Sequence, residues 1–150
     1  MITTRAFRIG LCIAMVGIGG LVGGIGGSAL ASAAGPKVVV TPSTKLKNGE
    51  VVHVSGSGFK PGDTVFIVEC LRTSKGESGC KVPATIPPAV TITSTGLLPR
   101  SSFKVSTGRI GTGICGTTKA NLAKCAVSVG NATGGDSAVG DITFALPAKK

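Results

Sequence analysis

Residues Lys37–Cys70 read KVVVTPSTKLKNGEVVHVSGSGFKPGDTVFIVEC, and this stretch decides the fold class. Short runs of β-branched residues alternate in it with the turn-forming pairs Asn48-Gly49 and Pro61-Gly62. Such runs, bounded by Asn-Gly and Pro-Gly, are typical of strands joined by tight turns. The stretch therefore predicts β-structure, and Pro42 ends its first strand because proline cannot donate to a ladder.

The strand that follows Asn48-Gly49 shows the pattern most clearly, since Val52 and Val54 fall on one face and His53 on the other. The same reasoning predicts seven strands at 38–41, 50–55, 64–70, 90–93, 102–106, 124–130 and 141–146. We expect inward-facing sets at Phe103 and Val105, at Cys125, Val127 and Val129, and at Ile142, Phe144 and Leu146. The Gly-rich segment 108–113 is interpreted as a flexible loop. Seven short strands without helical periodicity predict an all-β, seven-stranded immunoglobulin-like β-sandwich.

The N-terminus has the features of an export signal. Arg5 and Arg8 precede an apolar, Gly-rich run over 9–30, which ends in small-residue cleavage patterns around Ala31 and Ala33. We interpret 1–34 as a cleaved signal peptide and 35–150 as one immunoglobulin-like domain, secreted and extracellular. A retained membrane anchor is the alternative, because the apolar run is long enough to span a bilayer.

The predicted mature chain is basic. It holds 14 of the 16 Lys and Arg residues and all six acids, which gives a net charge of +8. The basic residues are scattered, and the chain has no Tyr or Trp to stack on bases. Direct nucleic-acid binding is therefore disfavoured, while a weak attraction to anions is expected.

Four cysteines follow the predicted signal peptide, an even number in an exported chain, which favours disulfides over metal ligands. Three pairings are open on sequence alone. Because each neighbouring pair is ten positions apart, a spacing that suits a clip across a loop, we predict Cys70–Cys80 and Cys115–Cys125. A zinc site is not expected, since there is no Cys-x-x-Cys and one histidine.

The residue patterns give no sign of catalysis. His53 lies in an alternating strand, no serine has a Gly-x-Ser-x-Gly setting, and the carboxylates come singly. The segment 108–113 lacks the Lys-Ser/Thr ending of a phosphate-binding loop. We therefore predict a protein that is not an enzyme and has no resident metal.

The order of several segments resembles the neocarzinostatin family of actinobacterial chromoprotein apoproteins. The segments are Val40–Ser43, Leu46 with Asn48-Gly49, Val54–Phe59, Pro61–Thr64, Glu69-Cys70 with Cys80, Cys125–Gly130, and Ile142–Phe144. The similarity extends from Lys37 to Leu146. It implies an immunoglobulin-like fold with a cleft that holds an enediyne chromophore without a covalent bond, and DNA is then reached only through the released chromophore.

The resemblance also implies a set of ligand-binding residues. The residues at matching positions are Glu69, Arg72, Ser78, Thr85 and Thr107, with Ile110 and Ile114 as an apolar wall. The sequence departs from the family at Arg72, where the family tends to carry an aromatic residue. We expect a secreted, monomeric binding protein for a small apolar molecule. A basic module that binds an anionic cell-envelope polymer, without a small-molecule ligand, is the alternative.

Overall fold

The computed structural model describes residues 35–73, 76–81 and 87–147, and these form nine strands. The strands are β1 Lys37–Thr41, β2 Val51–Ser57, β3 Thr64–Leu71, β4 Val90–Thr91, β5 Leu98–Lys104, β6 Gly108–Ile110, β7 Gly113–Cys115, β8 Cys125–Gly130 and β9 Ser137–Asp141. Two short 3-10 helices cover Glu77–Gly79 and Lys119–Asn121. Within these ranges no helix is long and apolar enough to cross a membrane.

Seven of the strands form two antiparallel sheets. One sheet has the order β1-β2-β5 and the other β4-β3-β8-β9, while β6 and β7 form a separate two-stranded ribbon. Side chains from both sheets share one core, in which Val52, Val54, Val65, Val127 and Val129 are all fully buried. The predicted seven-stranded immunoglobulin-like sandwich is confirmed.

The turns and alternations predicted from the first stretch are also present. Gly49 and Gly62 both have positive φ, at 80° and 79°, which glycine adopts without the steric cost of a Cβ. Val52 and Val54 are buried while Val51 is 53% exposed. Alternation therefore located the core face of β2 correctly.

The two sheets approach closely along the β1 and β9 edges. A Cβ placed on Gly140 of β9 would lie 2.7 Å from Cγ2 of Val40 and 3.0 Å from Cγ1 of Val38. No larger residue fits without moving β1. Because this edge is closed by contact, the room for a ligand is at the opposite edge of the sandwich, where β4 and β5 lie.

The prediction of a flexible loop at 108–113 is wrong. These residues form β6, a tight turn and part of β7, with Arg109 paired to Ile114. Gly113 packs against Leu71, since an added Cβ would lie 2.7 Å from the Cδ1 atom of that side chain. The glycines allow this ribbon to lie against β3.

The predicted last strand is also misplaced. The last strand among the described residues is Ser137–Asp141, and in 142–147 the one β-bridge is the parallel bridge of Phe144 with Leu46. Ile142 and Phe144 are each 2% exposed, as expected, but Leu146 is 58% exposed. The other predicted strands differ from the observed ones mainly at their ends, and β5 starts four residues earlier, at Leu98. The predicted signal peptide, 1–34, lies outside the described residues.

Candidate ligand-binding cleft

A cleft opens between the two sheets at the edge formed by β4 and β5; we call it the β4–β5 cleft. It encloses about 310 Å³, at the small end of the range for ligand pockets. Its lining residues are Ile67, Val68, Glu69, Lys81, Pro87, Pro88, Val90, Ser101, Ser102, Phe103 and Lys104. The cleft combines an apolar wall with a few polar groups, as small-molecule sites commonly do.

Strand β5 gives the cleft one of its walls through the alternation of its side chains. Ser101 pairs with Val54 and Phe103 with Val52, so both belong to the inner face. Ser102 pairs with His53 and belongs to the outer face. Phe103 was expected to be a core residue, yet it is only half-buried, because β5 is an edge strand and the cleft lies beside it.

Glu69 is the buried polar group of the cleft. It lies on the inner face of β3, following Val65 and Ile67, and is 2% exposed. Its Oε2 accepts hydrogen bonds from the backbone N of Ser106, at 3.0 Å, and from the Ser106 hydroxyl, at 2.8 Å. The Lys81 Nζ donates in turn to the Ser106 Oγ at 2.8 Å. Ser106 therefore joins a buried carboxyl group to an exposed ammonium group.

The other carboxyl oxygen of Glu69 is unsatisfied. Oε1 is buried and has no hydrogen-bond partner among the described residues. Burial raises the pKa of Glu69 above its usual value of 4.5, and the hydrogen bonds from Ser106 and the charge of Lys81 offset this only in part. Desolvation dominates because a buried carboxylate loses its hydration without a direct ionic partner.

Glu69→Gln should therefore raise the free energy of unfolding at pH 7, and the gain over wild type should shrink as the pH falls through the raised folded-state pKa and be smallest below about 4.5. The folded-state pKa is raised, so the neutral acid favours folding at low pH, and this contribution is lost as the pH rises through the folded-state pKa. Urea unfolding from pH 3 to pH 8 measures the difference. Glu77→Gln, at an exposed position, is the control. A gain for Glu69→Gln that stays constant with pH would contradict this assignment.

Both predicted disulfides are confirmed. Cys70 is joined to Cys80, and Cys115 to Cys125, each across ten residues of sequence. The sulfur atoms of Cys115 and Cys125 and a carboxyl oxygen of Glu69 lie within 4.8 Å of one another. This group does not suit a metal ion, because disulfide sulfurs have no thiolate to offer. The disulfide instead packs beside the buried end of Glu69.

The structure brings one of the predicted ligand-binding residues, Glu69, into the wall of the cleft. Arg72 is exposed and forms an ion pair with Asp141, and Ser78 is exposed in the 3-10 helix Glu77–Gly79. Thr107 is half-buried and donates its backbone N–H to Asn48 Oδ1 at 2.9 Å.

The two isoleucines predicted as an apolar wall belong to the β6–β7 ribbon. Ile110 is completely buried in the core, and Ile114 is 51% exposed. Thr85 lies outside the described residues. A binding role for these residues and for Arg72, Ser78 and Thr107 stays a prediction.

The sequence reasoning missed the wall that β5 supplies. Ser101, Ser102 and Lys104 line the cleft, but nothing in their local pattern distinguishes them from an ordinary strand. Lys81 was also missed, although its position directly after Cys80 fixes its backbone. The N–H of Lys81 donates to the Glu69 carbonyl at 2.7 Å, next to the disulfide. The sequence did carry a signal for Lys81, because the predicted disulfide at Cys80 restrains the residue that follows it.

A second hollow lies at the opposite end of β3, but its acids already have structural partners. Asp63 Oδ2 accepts from Asn131 Nδ2 at 2.9 Å, and Asp136 Oδ2 accepts from the backbone N of Lys60 at 2.9 Å. These bonds connect two turns and stabilise that end of the sandwich. The β4–β5 cleft, with an unsatisfied buried oxygen, is the stronger candidate site.

The fold and the cleft together define a small, disulfide-bonded, immunoglobulin-like binding domain. The model of the neocarzinostatin family matches residues 38–144, and the chain belongs to this family. It is 36% identical over 115 residues to macromomycin of Streptomyces macromomyceticus, a match that covers 73% of this chain and 77% of that protein.

Solved structures give matching results. A structure of macromomycin matches with a TM-score of 0.57 and 32% identity, over 73% of this chain and 99% of that one. A solution structure of apokedarcidin matches 74% of this chain and 99% of its own, with 27% identity and a TM-score of 0.47. The family match and the two macromomycin matches confirm the family resemblance predicted from the sequence.

Proposed function

We propose that this protein is a secreted, non-enzymatic carrier that holds a small, largely apolar molecule in the β4–β5 cleft. The observation that carries the proposal is the cleft itself, in which Ile67, Val90 and Phe103 lie beside a buried carboxyl group. Membership of the neocarzinostatin family supports a ligand-binding role of the chromoprotein type. An enediyne-type chromophore, bound without a covalent bond, is the ligand that the family favours.

Binding would depend on a cleft that is already formed before the ligand arrives. Each sheet supplies one wall, and the two disulfides restrain the segments around Glu69, so little conformational entropy remains to be lost on binding. An apolar molecule placed between the walls is removed from water and from reactive solutes. Any contact with DNA would follow release of the molecule. Secretion is supported by the two disulfides and by the predicted signal peptide.

Ser101→Trp should weaken the binding of 1-methylnaphthalene by ~10-fold or more, equivalent to about 1.4 kcal/mol. Ser101 is on the inner face of β5, so an indole ring at this position would occupy the space of the ligand. Binding is measured by isothermal titration calorimetry, with the fold checked by NMR.

Ser137→Trp is the matched control, because it adds the same ring at an exposed strand position, on β9, that does not line the cleft. It should bind the probe as wild type does. Equal binding by the two variants would place the site elsewhere, and no binding by wild type would contradict a cleft for apolar molecules. The natural ligand is then sought by native mass spectrometry of the protein purified from its own culture medium, where a mass beyond that of the oxidised chain identifies a carried molecule.

The alternative role, binding to an anionic envelope polymer, draws on the net charge of +8 of the predicted mature chain and on its few aromatic residues. The family relationship lends it no support. The envelope-binding role would require that the protein cosediments with isolated envelope and stays bound at moderate salt.

A further inference from the structure

Glu69 differs from the other buried acid of the described domain in how its charge is satisfied. Asp136, 8% exposed, accepts a backbone N–H and connects two turns. Glu69 uses only Oε2, and its Oε1 is left without a partner although it is buried. A stabilising role for Glu69 would not require a carboxylate with one unsatisfied oxygen, since buried polar groups are normally hydrogen-bonded.

Glu69 also lacks a direct ionic partner. The one ion pair within the described ranges joins Arg72 and Asp141, on the surface. Lys81 reaches Glu69 only through the Ser106 hydroxyl. Buried charges in proteins are generally paired with an opposite charge. A cation beside the Glu69 carboxylate would provide that partner, and no described residue forms an ion pair with it.

The position of Glu69 connects this requirement to the cleft. Glu69 lines the cleft together with Ile67 of its own strand and Phe103 of β5. Lys81, on the same wall, is exposed, and its flexible side chain can move aside to admit a ligand group. A molecule in the cleft could therefore rest its apolar body on Phe103 and direct a polar end toward Glu69.

We propose that Glu69 is the polar anchor of the β4–β5 cleft and selects ligands that carry a protonated amine on a small apolar body. The proposal rests on the proposed function and names the chemical class of its ligand. The amine donates a charge-assisted hydrogen bond to Oε1, which is stronger than a bond from a neutral donor. The amine also supplies a positive charge next to the buried carboxylate, whose pKa is raised by burial.

Three probes with the same ring test this selection: 1-aminomethylnaphthalene, 1-methylnaphthalene and 1-naphthaleneacetate. Because the chain has no Trp and no Tyr, naphthalene fluorescence can be read with little protein background. Wild type should bind the amine ~10-fold or more tightly than the methyl compound. The net charge of +8 on the predicted mature chain repels a protonated amine. Tighter binding of the amine than of the methyl compound would therefore identify an acidic group near the ligand.

Glu69→Gln keeps the size of the side chain and removes its charge. It should lose the preference for the amine over 1-methylnaphthalene, while Glu77→Gln keeps that preference. A direct readout on the wild type guards against misfolding of the variant. The ¹³C resonance of the Glu69 carboxyl group should shift on addition of the amine and stay unchanged with the methyl compound.

Equal binding of the amine and methyl probes by wild type, or an amine preference that survives in Glu69→Gln, would overturn the anchor while leaving the cleft intact. Tightest binding of the naphthaleneacetate would overturn it as well, because it would point to the lysines of the cleft. Failure of all three probes to bind would overturn the anchor together with the proposed function.

Discussion

Phe144→Ala should lower the free energy of unfolding by about 3–5 kcal/mol, the usual cost of removing a large buried ring. Phe144 is 2% exposed and its ring lies against Gly116, where an added Cβ would be 2.7 Å from the Phe144 Cδ2. Its backbone N–H donates to the Leu122 carbonyl at 2.9 Å, and its bridge to Leu46 joins the end of the domain to its beginning. The surrounding backbone is thus held from several directions and cannot collapse into the cavity.

Urea unfolding followed by far-UV circular dichroism measures this loss. Phe66→Ala is the matched control, because Phe66 is a half-buried phenylalanine on the outer face of β3, opposite to Val65 and Ile67. It should cost clearly less. A similar loss for both variants would mean that Phe144 does not connect the ends of the domain as described.

Replacing Cys115 and Cys125 together with alanine should cost more than replacing Cys70 and Cys80. The two disulfides close loops of equal length, ten residues apart, so the chain-entropy contribution is the same for each, about 2.5–3 kcal/mol. Cys115 and Cys125 are both fully buried, whereas Cys70 is 7% exposed and Cys80 is half-buried. Loss of the buried sulfurs leaves a cavity in the core and adds about 1 kcal/mol or more.

The equal loop lengths make each double variant the control for the other. Thermal and urea unfolding of both, under oxidising conditions, measure the difference directly. Equal losses would mean that loop closure is the whole effect and that packing around Cys115 and Cys125 contributes little. A larger loss for the Cys70 and Cys80 variant would contradict the burial argument.

Much of the sandwich could be predicted because its signals are local. The alternation of Val52 and Val54 follows from the geometry of a strand, and the turns at Gly49 and Gly62 follow from the freedom of glycine at positive φ. The cysteine pairing could be predicted from spacing in the same way. Each of these features depends on residues close together in the chain.

The errors arose where local patterns have two physical explanations. Ile142 and Phe144 alternate as a strand does and are both buried, yet the last strand ends before them, at Asp141. The true last strand was hidden because Ala138 and Gly140 are small, and Gly140 has to be small where β1 approaches it. The β6–β7 ribbon was hidden for a similar reason, since Gly113 is small because it packs against Leu71.

The sequence by itself therefore determined the all-β class and the family; the spacing of the cysteines favoured the observed disulfides, and the family resemblance implied one residue of the cleft, Glu69. Only the tertiary structure decided where the cleft lies and how Glu69 is held in it. The walls of the cleft come from β3, β4 and β5, and Glu69 and Ser106 are 37 residues apart in sequence. The desolvation of the carboxyl group and its unsatisfied Oε1 arise only when the two sheets pack together, because burial is a property of the whole fold.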